Sequence, residues 1–263
     1  MFRLLAILAA AAPSLLYSLH PGTFCGWAPA TWPEPTPLRA AIWDAALWTV
    51  QVLPAVLALL AIWAPRRFPV LGAIAATVSL AINAPTLVIP YTTPCGPQLS
   101  PWMPFSCQVV VVVALLLARR ERRAPMPGLR AICWTGIVLI PLARTALAVL
   151  ISTYSGSLPG CFARLDGPWA EVSDHLSRAT GAGILTSLAA IGAVLGGGVA
   201  GPVLAVVLLV CALFEPIAQL ATSAPHDCST VLGLVGWPHL VAAGLALATR
   251  LPSAGQESPE TSS

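Results

Sequence analysis

The sequence contains no lysine, and acids are scarce: ten Asp and Glu in 263 residues, beside 13 arginines. Charged residues make up 9% of the chain, where a soluble domain carries roughly 25%. So few charges cannot cover a soluble fold of this length, and the composition points to the membrane class. The all-arginine basic set suits a GC-rich bacterial genome and implies no mechanism. A net charge of +3, scattered along the chain, gives no footprint for nucleic acid, and no nucleic-acid partner is expected.

Catalytic and cofactor signatures are missing too. There is no Walker loop, no glycine-rich dinucleotide fingerprint, no His-Glu-x-x-His and no Gly-x-Ser-x-Gly. The seven cysteines include no Cys-x-x-Cys pair and no zinc-like Cys/His spacing. No cofactor is expected. His20, Asp174, His175, His226 and Asp227 are read as solvated loop residues rather than metal ligands, because ligand type without geometry is weak support.

Apolar runs fill the space left by these absences: 57% of the residues are hydrophobic. A spanning helix needs about 20 mostly apolar residues, and the runs fit eight of them. They cover residues 2–20, 41–64, 69–91, about 101–118, 131–153, 181–197, 200–222 and 230–249. The expected fold is an all-α polytopic membrane bundle over residues 1–250, with the bilayer as its partner and a disordered cytoplasmic tail at 251–263. A cleaved signal peptide is the rival reading of the first run, which is longer than a typical signal core. The fourth run is awkward. Its clean part, Val109 to Ala118, is too short to span, so the helix must start near Pro101 or the bilayer must thin around it. Between the fifth and sixth runs, Asp166 and Pro168 suit a helix start. Trp169, Val172 and Leu176 then share one face of a short helix lying on the membrane surface.

Arginine positions orient the bundle. With the N-terminus inside, Arg3, Arg66, Arg67, Arg119, Arg120, Arg122, Arg123, Arg130 and Arg250 fall on the inner side. Arg39, Arg164 and Arg178 fall outside, and Arg144 lies within the fifth helix. The positive-inside rule then places both termini in the cytoplasm of a cell-membrane protein. Cys25, Cys95, Cys161 and Cys228 fall one in each outer loop, and Cys107 sits at or just below the outer surface. An oxidising exterior permits disulfides, so these five are disulfide candidates of unreadable pairing. The Arg119–Arg123 run reads most simply as a topology determinant, with contact to anionic head groups as a second use.

The organising stretch is Glu215-Pro216, an acid and a helix breaker inside an apolar run. Counted inward from the outer helix ends, Glu215, Arg144, His239, Asn83 and Gln51 all fall about 10–15 Å below the surface, at 1.5 Å per residue. Asp44 sits above them. Pro216, Pro141, Pro238, Pro85 and Pro54 crowd the same layer. Each frees a carbonyl and can bend its helix, and polar backbone at membrane depth must line a cavity or find partners. Intramembrane charge reads as functional by default. The expected function is therefore binding or transport of a small polar or amphipathic solute, with Glu215, Arg144, His239, Asn83 and Gln51 as substrate-binding residues. The alternative is a membrane-embedded acid–base enzyme acting on a lipid-soluble substrate, as in isoprenoid cyclisation or lipid modification, with Glu215 and Asp44 as its acids. Against both stands plain structural glue: a Glu215–Arg144 pair fixing registry, with Asn83, Gln51 and His239 as interhelical hydrogen bonds.

Overall fold

The computed structural model describes residues 1–19, 37–88, 102–121, 126, 128–155, 184–195, 199–222 and 238–249. Among them every regular element is helical and no strand occurs. Eight α-helices follow in order: α1 Phe2–Leu19, α2 Pro37–Trp63, α3 Phe68–Asn83, α4 Trp102–Leu117, α5 Gly128–Ser155, α6 Ile184–Leu195, α7 Ala200–Thr222 and α8 Pro238–Ala248. Short 3-10 turns extend α3 over Ala84–Leu87 and α4 over Ala118–Arg120. With these extensions, Phe68–Leu87 and Trp102–Arg120 are long and apolar enough to cross a membrane by length and composition. The fourth helix does start beside Pro101, as its short apolar core requires.

Local chemistry sets these ends. Pro69 occupies the first turn of α3, where a missing N–H costs nothing. Pro85 does the reverse at the other end: α3 gives way to the 3-10 turn at Ala84, short of the expected 91. Prolines elsewhere break nothing. Helix α2 runs through Pro54 and α5 through Pro141, and α7 is helical on both sides of Pro216. Among the described residues, Pro85 is the layer proline at which a helix ends. The described part of α8 opens with Pro238 and His239, and residues 223–237 before it lie outside the described residues.

Helix α2 is central: it packs against α1, α3, α5 and α6. Helix α4 lies on α1 and α3, and α6 lies on α1, α5 and α7. Trp134 of α5 is fully buried, among Ile137, Val138, Leu185, Ala189 and Ala190. It fits because α6 has a glycine there. A Cβ on Gly192 would stand 2.8 and 2.9 Å from two ring carbons of Trp134. Gly201 of α7 performs the same service for α8, with Thr249 Oγ1 at 3.1 Å and the Ala246 carbonyl at 3.3 Å. Small residues let helices approach closely, and these two glycines belong to the small-xxx-small pairs visible in the sequence.

Large apolar residues are exposed as well as buried. Helix α3 buries Phe68, Gly72, Ala76, Ser79 and Asn83 and exposes Val70, Leu71, Ile74 and Val78. Helix α4 buries Gln108, Val111, Ala114 and Leu115 and exposes Val109, Val110, Val113, Leu116 and Leu117. Polar Ser79, Asn83 and Gln108 face inward, while the outward faces of both helices carry apolar stripes.

At one end of the bundle, Arg3 is a buried clamp rather than a simple topology signal. Its Nη2 donates to the Pro65 carbonyl at 2.9 Å and to the Glu121 carbonyl at 2.8 Å. Its guanidinium also lies 5.2 Å from the ring centre of Phe68, a cation–π contact. Glu121 Oε1 accepts from the Met1 ammonium and from the Phe2 amide, both at 2.8 Å. Helix α1 is tied in this way to the α2–α3 turn and to the end of α4. Ala6, Ile7 and Ala10 of α1 belong to the buried core.

Candidate polar site between three helices

The polar site is built on Asn83, the last residue of α3. With the helix stopped by Pro85, the Asn83 carbonyl accepts from Thr86 Oγ1 at 2.7 Å. The Asn83 side chain turns back and across. Its Nδ2 donates to the Ser79 carbonyl at 2.8 Å and to Thr49 Oγ1 of α2 at 2.9 Å. The Thr49 hydroxyl proton goes to the Ala46 carbonyl at 2.8 Å. From α4, Gln108 Nε2 donates to Ser79 Oγ at 2.9 Å. A continuous polar chain therefore crosses α2, α3 and α4, with Asn83, Ser79, Thr86 and Gln108 all buried.

One atom in this chain is unmet. Among the described residues Gln108 Oε1 is buried with no hydrogen-bond partner. Gln108 is 2% exposed, so bulk water does not compensate, and a buried orphan acceptor costs about 1–3 kcal/mol. Natural structures rarely keep such groups without a reason. Two further buried atoms share this condition at the α5–α6 interface, Trp134 Nε1 and Ser187 Oγ, but neither belongs to a polar chain.

The anticipated residues distribute unevenly. Asn83 is in the site. Gln51 is half-buried on α2, two residues beyond Thr49, and is not a member of the bonded chain. His239 is fully buried but belongs to a different part of the bundle. Its helix α8 meets α5 where Leu245 faces Gly136, and α7 at Gly201. Helices α2, α5 and α7 carry Asp44, Arg144 and Glu215, whose side chains lie outside the described residues, and the expected Glu215–Arg144 pair lies outside with them.

Of the five disulfide candidates only Cys107 is among the described residues, where it is a free thiol on α4, half-buried beside Gln108. Cys25, Cys95, Cys161 and Cys228 lie outside the described residues, as do His20, Asp174, His175, His226 and Asp227 and the expected surface helix after Asp166.

Thr49, Ser79, Thr86 and Gln108 escape a reading of the sequence alone. Hydroxyl residues are too common in apolar helices to stand out. Gln108 borders the Val109–Ala118 run, at a depth that depended on where α4 began. Comparison with known proteins finds no family model, curated protein or solved structure that matches this chain.

Proposed function

We propose that the chain is a multi-pass membrane protein whose α2–α3–α4 site binds a small polar or amphipathic solute through Gln108. The observation that carries the reading is the buried, unmet Gln108 Oε1, set at the end of a hydrogen-bonded chain across three helices. The exposed apolar stripes support the bilayer setting. Stripes such as Val70, Leu71, Ile74 and Val78 are exposed, and apolar surface of that extent needs lipid or a partner. A polar group inside a bundle with an apolar exterior is the usual sign of a ligand path.

The chemistry narrows the solute. Asn83 and Thr49 are occupied with one another and with backbone, so they fix the helices rather than meet a ligand. The Gln108 amide is held by Ser79 at one end and unmet among the described residues at the other. A hydroxyl both donates and accepts, so it satisfies the unmet end whichever way the amide is turned. An apolar tail on the same molecule suits the aliphatic surroundings. We therefore favour an amphipathic alcohol or a solute with an equivalent hydroxyl.

Thermal unfolding of the purified full-length protein in detergent provides the test, with straight-chain alcohols compared against fluoroalkanes of matched length. Alcohols raise the Tm of the wild type above that of the fluoroalkanes, and the difference vanishes in Gln108→Leu. Equal shifts for both compound classes, or an undiminished difference in Gln108→Leu, would overturn the reading.

A further inference from the structure

We propose that Arg66, Arg67, Arg119 and Arg120, gathered at one end of α3 and α4 by the Arg3 clamp, bind the phosphate of an anionic membrane lipid. The proposal rests on the membrane setting above but not on the Gln108 site. The geometry starts from a single atom. Arg3 Nη2 donates to both the Pro65 and the Glu121 carbonyls, so those two carbonyls stand within about 6 Å of each other, twice a hydrogen-bond length. Arg66 and Arg67 follow the first carbonyl directly, and Arg119 and Arg120 precede the second. Two arginine pairs from distant parts of the sequence are thereby held on adjoining turns.

All four are exposed, and among the described residues none meets an acid. Among the described residues the one carboxylate nearby is Glu121, and it is committed elsewhere, to the Met1 ammonium and the Phe2 amide. The acid within the arginine run thus neutralises the start of α1 instead of its neighbours. Four guanidinium groups are left without an acid among the described residues, and guanidinium is the side chain best shaped to grip phosphate oxygens bidentately.

The surfaces below the arginines fit the rest of such a lipid. Val70, Leu71 and Ile74 on α3, and Val113, Leu116 and Leu117 on α4, are exposed and run away from the basic end along two helices that pack together. Exposed Trp63, whose Nε1 donates to Thr135 Oγ1 at 2.8 Å, lies three residues before Arg66, a place where membrane-interface aromatics sit. A phosphate at the arginines would leave the acyl chains against these stripes.

Native mass spectrometry of the full-length protein, released from detergent with phosphatidylglycerol or phosphatidylcholine, tests the proposal. The wild type retains phosphatidylglycerol with at least about ten-fold preference, since each interfacial arginine contributes about five-fold. Arg66→Gln with Arg67→Gln, and Arg119→Gln with Arg120→Gln, each reduce the preference in proportion, and the quadruple variant loses it. Arg39→Gln, at the opposite end of α2 from Arg66, leaves it unchanged. Inorganic phosphate in excess does not displace the lipid; displacement would identify a free-phosphate site and overturn the lipid assignment. Equal retention of both lipids, or a preference that survives in the quadruple variant, overturns the proposal while leaving the membrane setting intact. Failure to retain any phospholipid tells against both.

Discussion

Asn83 and Thr49 join α3 to α2 through one bond, the Asn83 amide donating to Thr49 Oγ1 at 2.9 Å while the Thr49 proton is spent on the Ala46 carbonyl. Each hydroxyl and amide group here has a defined role, so removing one strands the other. Asn83→Ala should destabilise by about 1–3 kcal/mol, the cost of leaving buried partners unpaired. A double-mutant cycle with Thr49→Val, read by denaturant unfolding in mixed micelles, should give a coupling of about 0.6–1.7 kcal/mol, the range seen for hydrogen bonds between membrane helices. A coupling of zero would mean that the two helices are held by apolar contact alone.

Trp134 offers a cleaner separation of volume from polarity. Its ring is fully buried, and its Nε1 has no partner among the described residues. Trp134→Phe keeps most of the ring and deletes an unsatisfied N–H, so its stability should stay within about 1 kcal/mol of wild type. Trp134→Ala empties the site and should cost about 3–5 kcal/mol. If phenylalanine costs as much as alanine, the indole N–H has a partner that matters.

Gly192 is the other half of that contact. A Cβ would stand 2.8 Å from a rigid Trp134 ring carbon, and neither helix can yield without repacking α5 against α6. Gly192→Ala should therefore destabilise by about 1–3 kcal/mol through overpacking. Gly244→Ala in α8 is the matched control, since nothing lies within 4 Å of its Cβ position. There the substitution should be neutral or stabilising by up to about 1 kcal/mol, because alanine is the better helix former. Thermal melts of the two variants measured side by side decide this.

Glu121 makes the Arg3 clamp pH-dependent. Partial burial pushes its carboxyl up, but the Met1 ammonium and the Phe2 and Arg3 amides outweigh burial and hold it below its ordinary value of 4.5. A carboxyl lowered in the folded state binds fewer protons there than in the unfolded chain, so it stabilises at higher pH. The contribution is complete above about pH 4.5 and disappears as the pH falls through the lowered folded value. The Tm difference between wild type and Glu121→Gln should accordingly be constant at neutral pH and close up below pH 4.5. A difference that persists into strong acid would show that the Glu121 side chain contributes through something other than its charge.

The helical class and the rough position of each helix were legible because apolar runs and arginine clusters report them directly. The polar site was only half legible. Asn83 stood out as a strong polar group beside a proline, whereas Ser79 and Gln108 acquire meaning only from the register of α3 against α4. That register depends on where α4 begins, and a run of ten apolar residues does not state it. Arg3 shows the same limit in reverse: charge near a helix start reads as topology, and only the fold turns it into a buried clamp. Helices α2 and α5 run through Pro54 and Pro141, as helices packed among other helices can.

Cysteine labelling tests the central claim, that polarity lies inside this bundle and lipid outside it. Ser79→Cys and Val113→Cys are made separately in a chain whose native cysteines are replaced, and intact cells or proteoliposomes are treated with a small charged methanethiosulfonate. Ser79 faces Gln108 in the site, and Val113 is on the exposed apolar stripe of α4. The account predicts that both are silent to the charged reagent, Ser79→Cys because it is buried and Val113→Cys because a charged reagent does not enter hydrocarbon, and that Val113→Cys alone reacts with a lipid-soluble maleimide. Labelling of Val113→Cys by the charged reagent would contradict it: the exposed stripe would then face water.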